Sequence, residues 1–213
     1  MRSKQKSGRI VEADQTPTKE VFDVEVSEAN EAARAYTYED YLNRDDETRF
    51  ELIDGVIYMM ATPNQAHQEV SGELYLQLAN FLKIKPCKVF YSPFGVRLNA
   101  ATGDNTILEP DLFVVCDMSK LDGKSCNGAP DMVIEILSPS TSKKDRTIKF
   151  NKYLQAGVRE LWYVDPTDKT VSVCILKNGE YYIKAYDNTE TVPVHVLEGC
   201  TIVLSEVFPQ SED

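Results

Sequence analysis

Apolar and polar positions along this chain follow two periods, and the places where one gives way to the other outline the elements. RFELIDGVIYMM splits around Asp54-Gly55, the strongest short hairpin signal, giving arms Phe50–Ile53 and Val56–Met60. After Thr62-Pro63-Asn64, apolar side chains recur at Val70, Leu74, Leu78 and Phe81/Leu82. That spacing predicts a helix of roughly 18 residues with one buried stripe. Upstream, Tyr36–Arg44 reads as a short amphipathic helix with Thr37 placed as its N-cap. The runs CKVFYS, PFGVRLN, TILEPDLFVV and DMVIEILS read as strands. A helix then starts near Ser142, with Asp145 in capping-box spacing, and stops before Gly157. ELWYVD, TVSVCILK, YYIKAYD and TIVLSEVF supply further strands. Val133–Leu137, Lys143–Ala156 and Leu161–Val164 form a βαβ unit, and the remainder reads as antiparallel meander. The expectation is an α/β (α+β) domain, a mixed β-sheet flanked by helices.

One position breaks the pattern. Met132, Val133, Ile134, Ile136 and Leu137 are the near-continuous apolar run of a strand covered on both faces, yet Glu135 stands among them. An ion pair, a metal ligand or a catalytic base would each explain a carboxylate there. Arg97 and Arg159 are candidate ion-pair partners. Asp131 is in phase on the same strand but about 13 Å away, too far to share one cation. A neighbouring strand lies only about 4.8 Å away, and TILEPDLFVV offers Asp111 against Leu112–Val115. Pro110 confines Asp111 to the strand's beginning. Two acids on adjacent strands, with a backbone carbonyl and waters, suit Mg²⁺ or Mn²⁺.

The chain has 213 residues, enough for one domain over 36–213, and residues 1–35 lack periodicity and read as a flexible arm. No apolar core follows Met1 as in a signal peptide, and no apolar run approaches the roughly 18 residues of a membrane span. The expected setting is the cytoplasm. Five cysteines without C-x-x-C spacing read as free thiols of a reducing compartment, and two histidines make a His-rich zinc site improbable. The net charge of −11 argues against broad affinity for nucleic acid. That balance inverts locally after Glu135, where Lys143, Lys144, Arg146, Lys149 and Lys152 place five cations in ten residues. Lys149 and Tyr153, four apart, share a helix face. A lysine there can orient an attacking water and stabilise developing negative charge. Lys143, Lys144 and Lys152 read as a solvated helix face.

FELIDG, the helix containing His67, then EPD, PDMVIEILSPST and KFNKYLQAGVRELWYVD together resemble the Uma-two-type family of restriction endonucleases, within the PD-(D/E)XK nuclease superfamily. The similarity covers about Tyr36 to Phe208. It implies a restriction-endonuclease-like fold and metal-dependent hydrolysis of DNA phosphodiesters. By position, Asp111 and Glu135 look like the superfamily's two metal-binding acids. The usual E-x-K spacing would place a lysine at 137, where this chain has Leu137, and Lys149 is the candidate replacement. Glu51 and His67 also match the family's pattern, as supporting residues with Tyr153. The leading expectation is a Mg²⁺-dependent endonuclease acting on DNA, with a homodimer one way to cut both strands. The alternative is a non-catalytic binding or assembly module that keeps the nuclease fold. Glycoside hydrolysis by a carboxylate pair ranks lowest, since it leaves the basic helix unexplained.

Overall fold

The computed structural model describes residues 35–44, 49–138 and 142–208, with the backbone alone for 142–146. But for residue 35, the arm expected over 1–35 lies outside the described residues, as do the side chains of the capping pair Ser142 and Asp145.

Helix α1 (Tyr38–Leu42) begins at Thr37, whose N–H donates to the Asp40 carboxylate at 2.9 Å. Strands β1 (Phe50–Ile53) and β2 (Val56–Met59) form the hairpin expected at Asp54-Gly55. Both turn residues have positive φ, 52° and 78°, as a two-residue turn that matches strand twist requires. A β-carbon at position 55 would also sit 2.8 Å from Ala35 Cβ. Helix α2 (Gln65–Leu82) is capped by Asn64, and it buries the predicted stripe Val70, Leu74, Leu78 and Leu82.

Strands β3 (Lys88–Tyr91), β4 (Gly95–Arg97), β5 (Ile107–Leu108), β6 (Leu112–Val115), β7 (Ser125–Asn127) and β8 (Met132–Ile136) follow. Then come α3 (Ser142–Ala156), β9 (Glu160–Asp165), β10 (Thr170–Lys177), β11 (Glu180–Asp187), β12 (Thr191–Pro193), β13 (Thr201–Val203) and α4 (Leu204–Val207). TIVLSEVF is therefore a strand only to Val203. Leu204 and Val207, three apart, bury themselves through one helical turn instead. Strands β7 and β12, three residues each, are too short to declare a period.

The strands form a five-stranded sheet, β2-β1-β5-β4-β7, a six-stranded sheet, β11-β10-β9-β8-β6-β3, and the pair β12-β13. In the six-stranded sheet β8 and β9 are parallel, joined by α3 as the βαβ reading requires. Along β8, Met132, Ile134 and Ile136 pack with the α2 stripe. Val133 and Leu137 pack on the opposite face with Tyr153 and Val158. Burial on both faces makes β8 read as an apolar run, and the period of two turns Glu135 toward the α3 side. The chain changes sheets between β5 and β6, through Glu109-Pro110-Asp111.

The expectation of five free thiols is corrected. Cys87 and Cys116 form a disulfide, and Cys126, Cys174 and Cys200 are free and buried. Lys88 pairs with Val115 in the antiparallel register of β3 and β6, so the residues just outside those strands meet face to face. Their 29-residue separation hid that pairing. No helix among the described residues is long and apolar enough to cross a membrane.

Candidate active site

The register that sets Leu112 opposite Ile134 carries Asp111 to the side of Glu135. Asp111 Oδ2 accepts the Ile136 N–H at 2.7 Å, so a side chain continues the ladder past the end of β6. Glu135 is buried. From α3, Lys149 Nζ lies 3.2 Å from its Oε1, and the Tyr153 hydroxyl donates to that oxygen at 2.5 Å. Lys149 Nζ is also 2.9 Å from Glu51 Oε1, which in turn accepts the Glu109 N–H at 2.9 Å. At the start of α2, His67 Nε2 stands 3.3 Å from Asp111 Oδ1. Three strands and two helices thus bring Asp111, Glu135, Lys149, Glu51, His67 and Tyr153 into one connected set.

The ion-pair alternative for Glu135 takes a different form from the one the sequence suggested. Arg97 pairs with Asp104 and Asp122. Arg159 pairs with Asp131, whose other oxygen accepts the Cys116 N–H. Lys149 is the cation that reaches Glu135, and Leu137, at the usual lysine position, packs into the core on the α3 side.

Burial pushes the Glu135 carboxyl well above the ordinary carboxylate range. Lys149 opposes that rise, while the charges of Asp111 and Glu51 add to it. Burial and the Glu135 charge also raise the Tyr153 hydroxyl, which stays a proton donor. At His67 burial disfavours the imidazolium, but the hydrogen bond and charge of Asp111, the charge of Glu135 and the Ile136 backbone together outweigh it and lift the pKa above that of a free histidine. Among the described residues, His67 Nδ1 is buried without a hydrogen-bond partner.

Among the described residues no group of three or more His, Cys, Asp or Glu side chains is arranged to hold a metal ion. The donor chemistry nonetheless fits a hard divalent ion. Asp111 and Glu135 supply carboxylate oxygens beside the Ile136 backbone, and Glu51 stands behind them. Glu51 and Glu135 meet Lys149, and Asp111 meets His67, so carboxylate oxygens of the kind a hard cation takes are gathered in one place.

These residues form the floor of a cavity of about 910 Å³ whose walls come from the β1–β2 hairpin, the first half of α2 and the end of β3. Sequence reasoning passed over part of its lining. Glu109, 1% exposed, accepts hydrogen bonds from Tyr41, Arg44 and Arg49. Arg49 also donates to Ser92 Oγ at 2.6 Å. The available signal was the acid at 109 preceding Pro110 in a run that is otherwise apolar.

A mixed sheet with helices on both faces and acids at a strand seam defines a restriction-endonuclease-like fold. The chain belongs to the Uma2 family, described as "putative restriction endonuclease", which matches residues 35–205. An uncharacterised protein of Synechocystis sp. is 32% identical over 117 residues, spanning 54% of this chain and 60% of that relative. A crystal structure from Anabaena variabilis, described as a putative nuclease belonging to DUF820, shares the fold with a TM-score of 0.66. It is 21% identical, covering 81% of this chain and 97% of that one.

Proposed function

We propose that this protein is a metal-dependent endonuclease that hydrolyses DNA phosphodiester bonds. The observation that carries the reading is the Asp111–Glu135 pair on adjacent strands, with Lys149 Nζ against Glu135 at the floor of an open cavity. Asp111, Glu135 and the Ile136 carbonyl are the groups that would hold Mg²⁺ or Mn²⁺. Such an ion supplies Lewis-acid stabilisation of phosphoryl charge and a lowered water pKa. The chain's own residues do the positioning. The Ile136 N–H fixes one oxygen of Asp111, and the Tyr153 hydroxyl fixes one oxygen of Glu135. Lys149 orients the attacking water and donates to the developing negative charge. His67 Nε2 stands against Asp111 Oδ1, on the side of the site away from the Lys149 contacts with Glu51 and Glu135.

The test is titration of Mg²⁺ and Mn²⁺ into the wild type and Asp111→Ala by calorimetry, followed by gel assays of plasmid nicking. The reading expects binding that disappears in the variant, and nicking that disappears in Asp111→Ala and Lys149→Ala. Nicking that persists in Asp111→Ala would remove the site from the reaction.

A further inference from the structure

We infer that the cavity above the acids takes a nucleotide with its base unpaired and stacked on Tyr91, so the substrate is a single strand or a locally opened duplex. The inference rests on the nuclease reading and names its substrate class.

Two of the acids have a tyrosine as cross-strand partner, and a third tyrosine lies on the neighbouring edge strand. Tyr58 pairs with Glu51 across the hairpin, and Tyr163 pairs with Glu135 across β8 and β9. Tyr91 pairs with Leu112, next to Asp111. All three tyrosines line the cavity. Tyr91 lies on the edge strand β3 and is 57% exposed. Its ring is nevertheless held: Tyr75 of α2 meets it edge to face, with centroids 5.0 Å apart and planes at 82°. A large ring that is open to solvent yet fixed in orientation is a stacking platform. From the hairpin, Met59, 68% exposed, adds a polarisable side chain to the lining.

The charges of the lining point the same way. Among the described residues its basic side chains are Arg49, Lys149 and His67, and all three stand against carboxylates. Glu51, Glu109, Asp111 and Glu135 line the same space. A protein making some 6–10 phosphate contacts on a duplex needs a matching number of basic groups, and the described lining holds far fewer. Stacking needs a free π-face, and inside a duplex each base's faces are covered by its stacked neighbours, whereas a single strand or an opened step can present them.

The test uses the full chain and fluorescence anisotropy in Ca²⁺. The probes are a labelled DNA single strand of about 16 nucleotides, its RNA counterpart, the blunt duplex and a centrally bulged duplex. Cleavage of each is followed separately in Mg²⁺ and Mn²⁺. Single-stranded and bulged probes are expected to bind at least about tenfold more tightly than the blunt duplex. The DNA and RNA arms show which sugar the site accepts. Tyr91→Ala should weaken single-strand binding by about 5- to 150-fold, the range for one base–aromatic stack, and Tyr91→Phe should preserve it. Tyr182→Ala, an exposed tyrosine on β11, is the control expected to change nothing. Equal binding of duplex and single strand, or a folded Tyr91→Ala that binds as the wild type does, overturns the inference. If duplex is cut while Tyr91→Ala is neutral, hydrolysis stands and stacking falls. If single strands bind through Tyr91 and nothing is cut, stacking stands and the nuclease reading falls.

Discussion

Lys149→Met removes the ammonium from between Glu51 and Glu135 and keeps an unbranched side chain of similar length. In the wild type Nζ lies 2.9 Å from Glu51 Oε1 and 3.2 Å from Glu135 Oε1, with side-chain exposures of 7%, 6% and 10% for the lysine and the two acids. At an effective dielectric of about 20, each contact at that range carries roughly 5 kcal/mol of gross attraction. Desolvation offsets most of it, and removing one partner of a buried pair costs about 3–5 kcal/mol. The loss should depend on pH. Burial already raises Glu135 from 4.5 to about 7, so between those values the folded state keeps a proton that the unfolded chain has released. Stability therefore falls as pH rises through that window. Without Lys149 the folded pKa rises further and the window extends upward, so the gap between variant and wild type widens with pH. Urea unfolding can be followed by the single tryptophan, Trp162, which is fully buried. It should show a small difference at about pH 5 and the full 3–5 kcal/mol at about pH 8. Added Mg²⁺ should recover part of the loss at the higher pH by supplying the missing positive charge. A loss of equal size at both pH values would refute the electrostatic assignment and leave Lys149 as a packing residue.

Three further outcomes are expected. Breaking the Cys87–Cys116 link by Cys116→Ser reopens a loop of 29 residues, for which chain entropy gives about 3.6 kcal/mol at 25 °C; thiol titration of the denatured, unreduced wild type should count three cysteines, and a count of five would dismiss the bridge. Tyr153→Phe keeps the ring's packing and deletes the hydroxyl held by Glu135, costing about 1.5–3 kcal/mol in urea unfolding while cation binding persists; loss of cation binding would make the hydroxyl part of the metal site itself. Partial burial raises the Asp122 carboxyl, but the N–H groups of Lys124 and Ser125, with Asn127 and Ser125 side chains, hold it down from 3.8 to about 2. Its stabilisation is thus present above about pH 4 and lost as pH falls through 2. Thermal melts of Asp122→Asn should lack that acid limb, and an unchanged acid profile would assign the limb to other carboxylates.

The sequence showed what short-range period can show. The four-residue stripe of α2, the hairpin at Asp54-Gly55 and the β8-α3-β9 unit each follow from local spacing, and each forms as read. Glu135 stood out because a carboxylate inside a run covered on both faces needs a partner. Lys149 and Tyr153 were legible as one helix face, and both reach it. The rest depended on register between distant segments, which leaves no periodic trace. The Cys87–Cys116 contact comes from the pairing of β3 with β6, and the Lys149 contact to Glu51 comes from α3 reaching β1 of the five-stranded sheet. Pro110 shows how local chemistry and distant register combine. It has no N–H to extend a ladder, so β5 ends before it and β6 begins after Asp111. Within that three-residue crossing, Glu109 is delivered to Arg44 and Arg49 while Asp111 is delivered to the Ile136 N–H beside Glu135. One break in strand pairing therefore separates a carboxylate paired with two arginines from one set against His67 and the Ile136 N–H, beside Glu135.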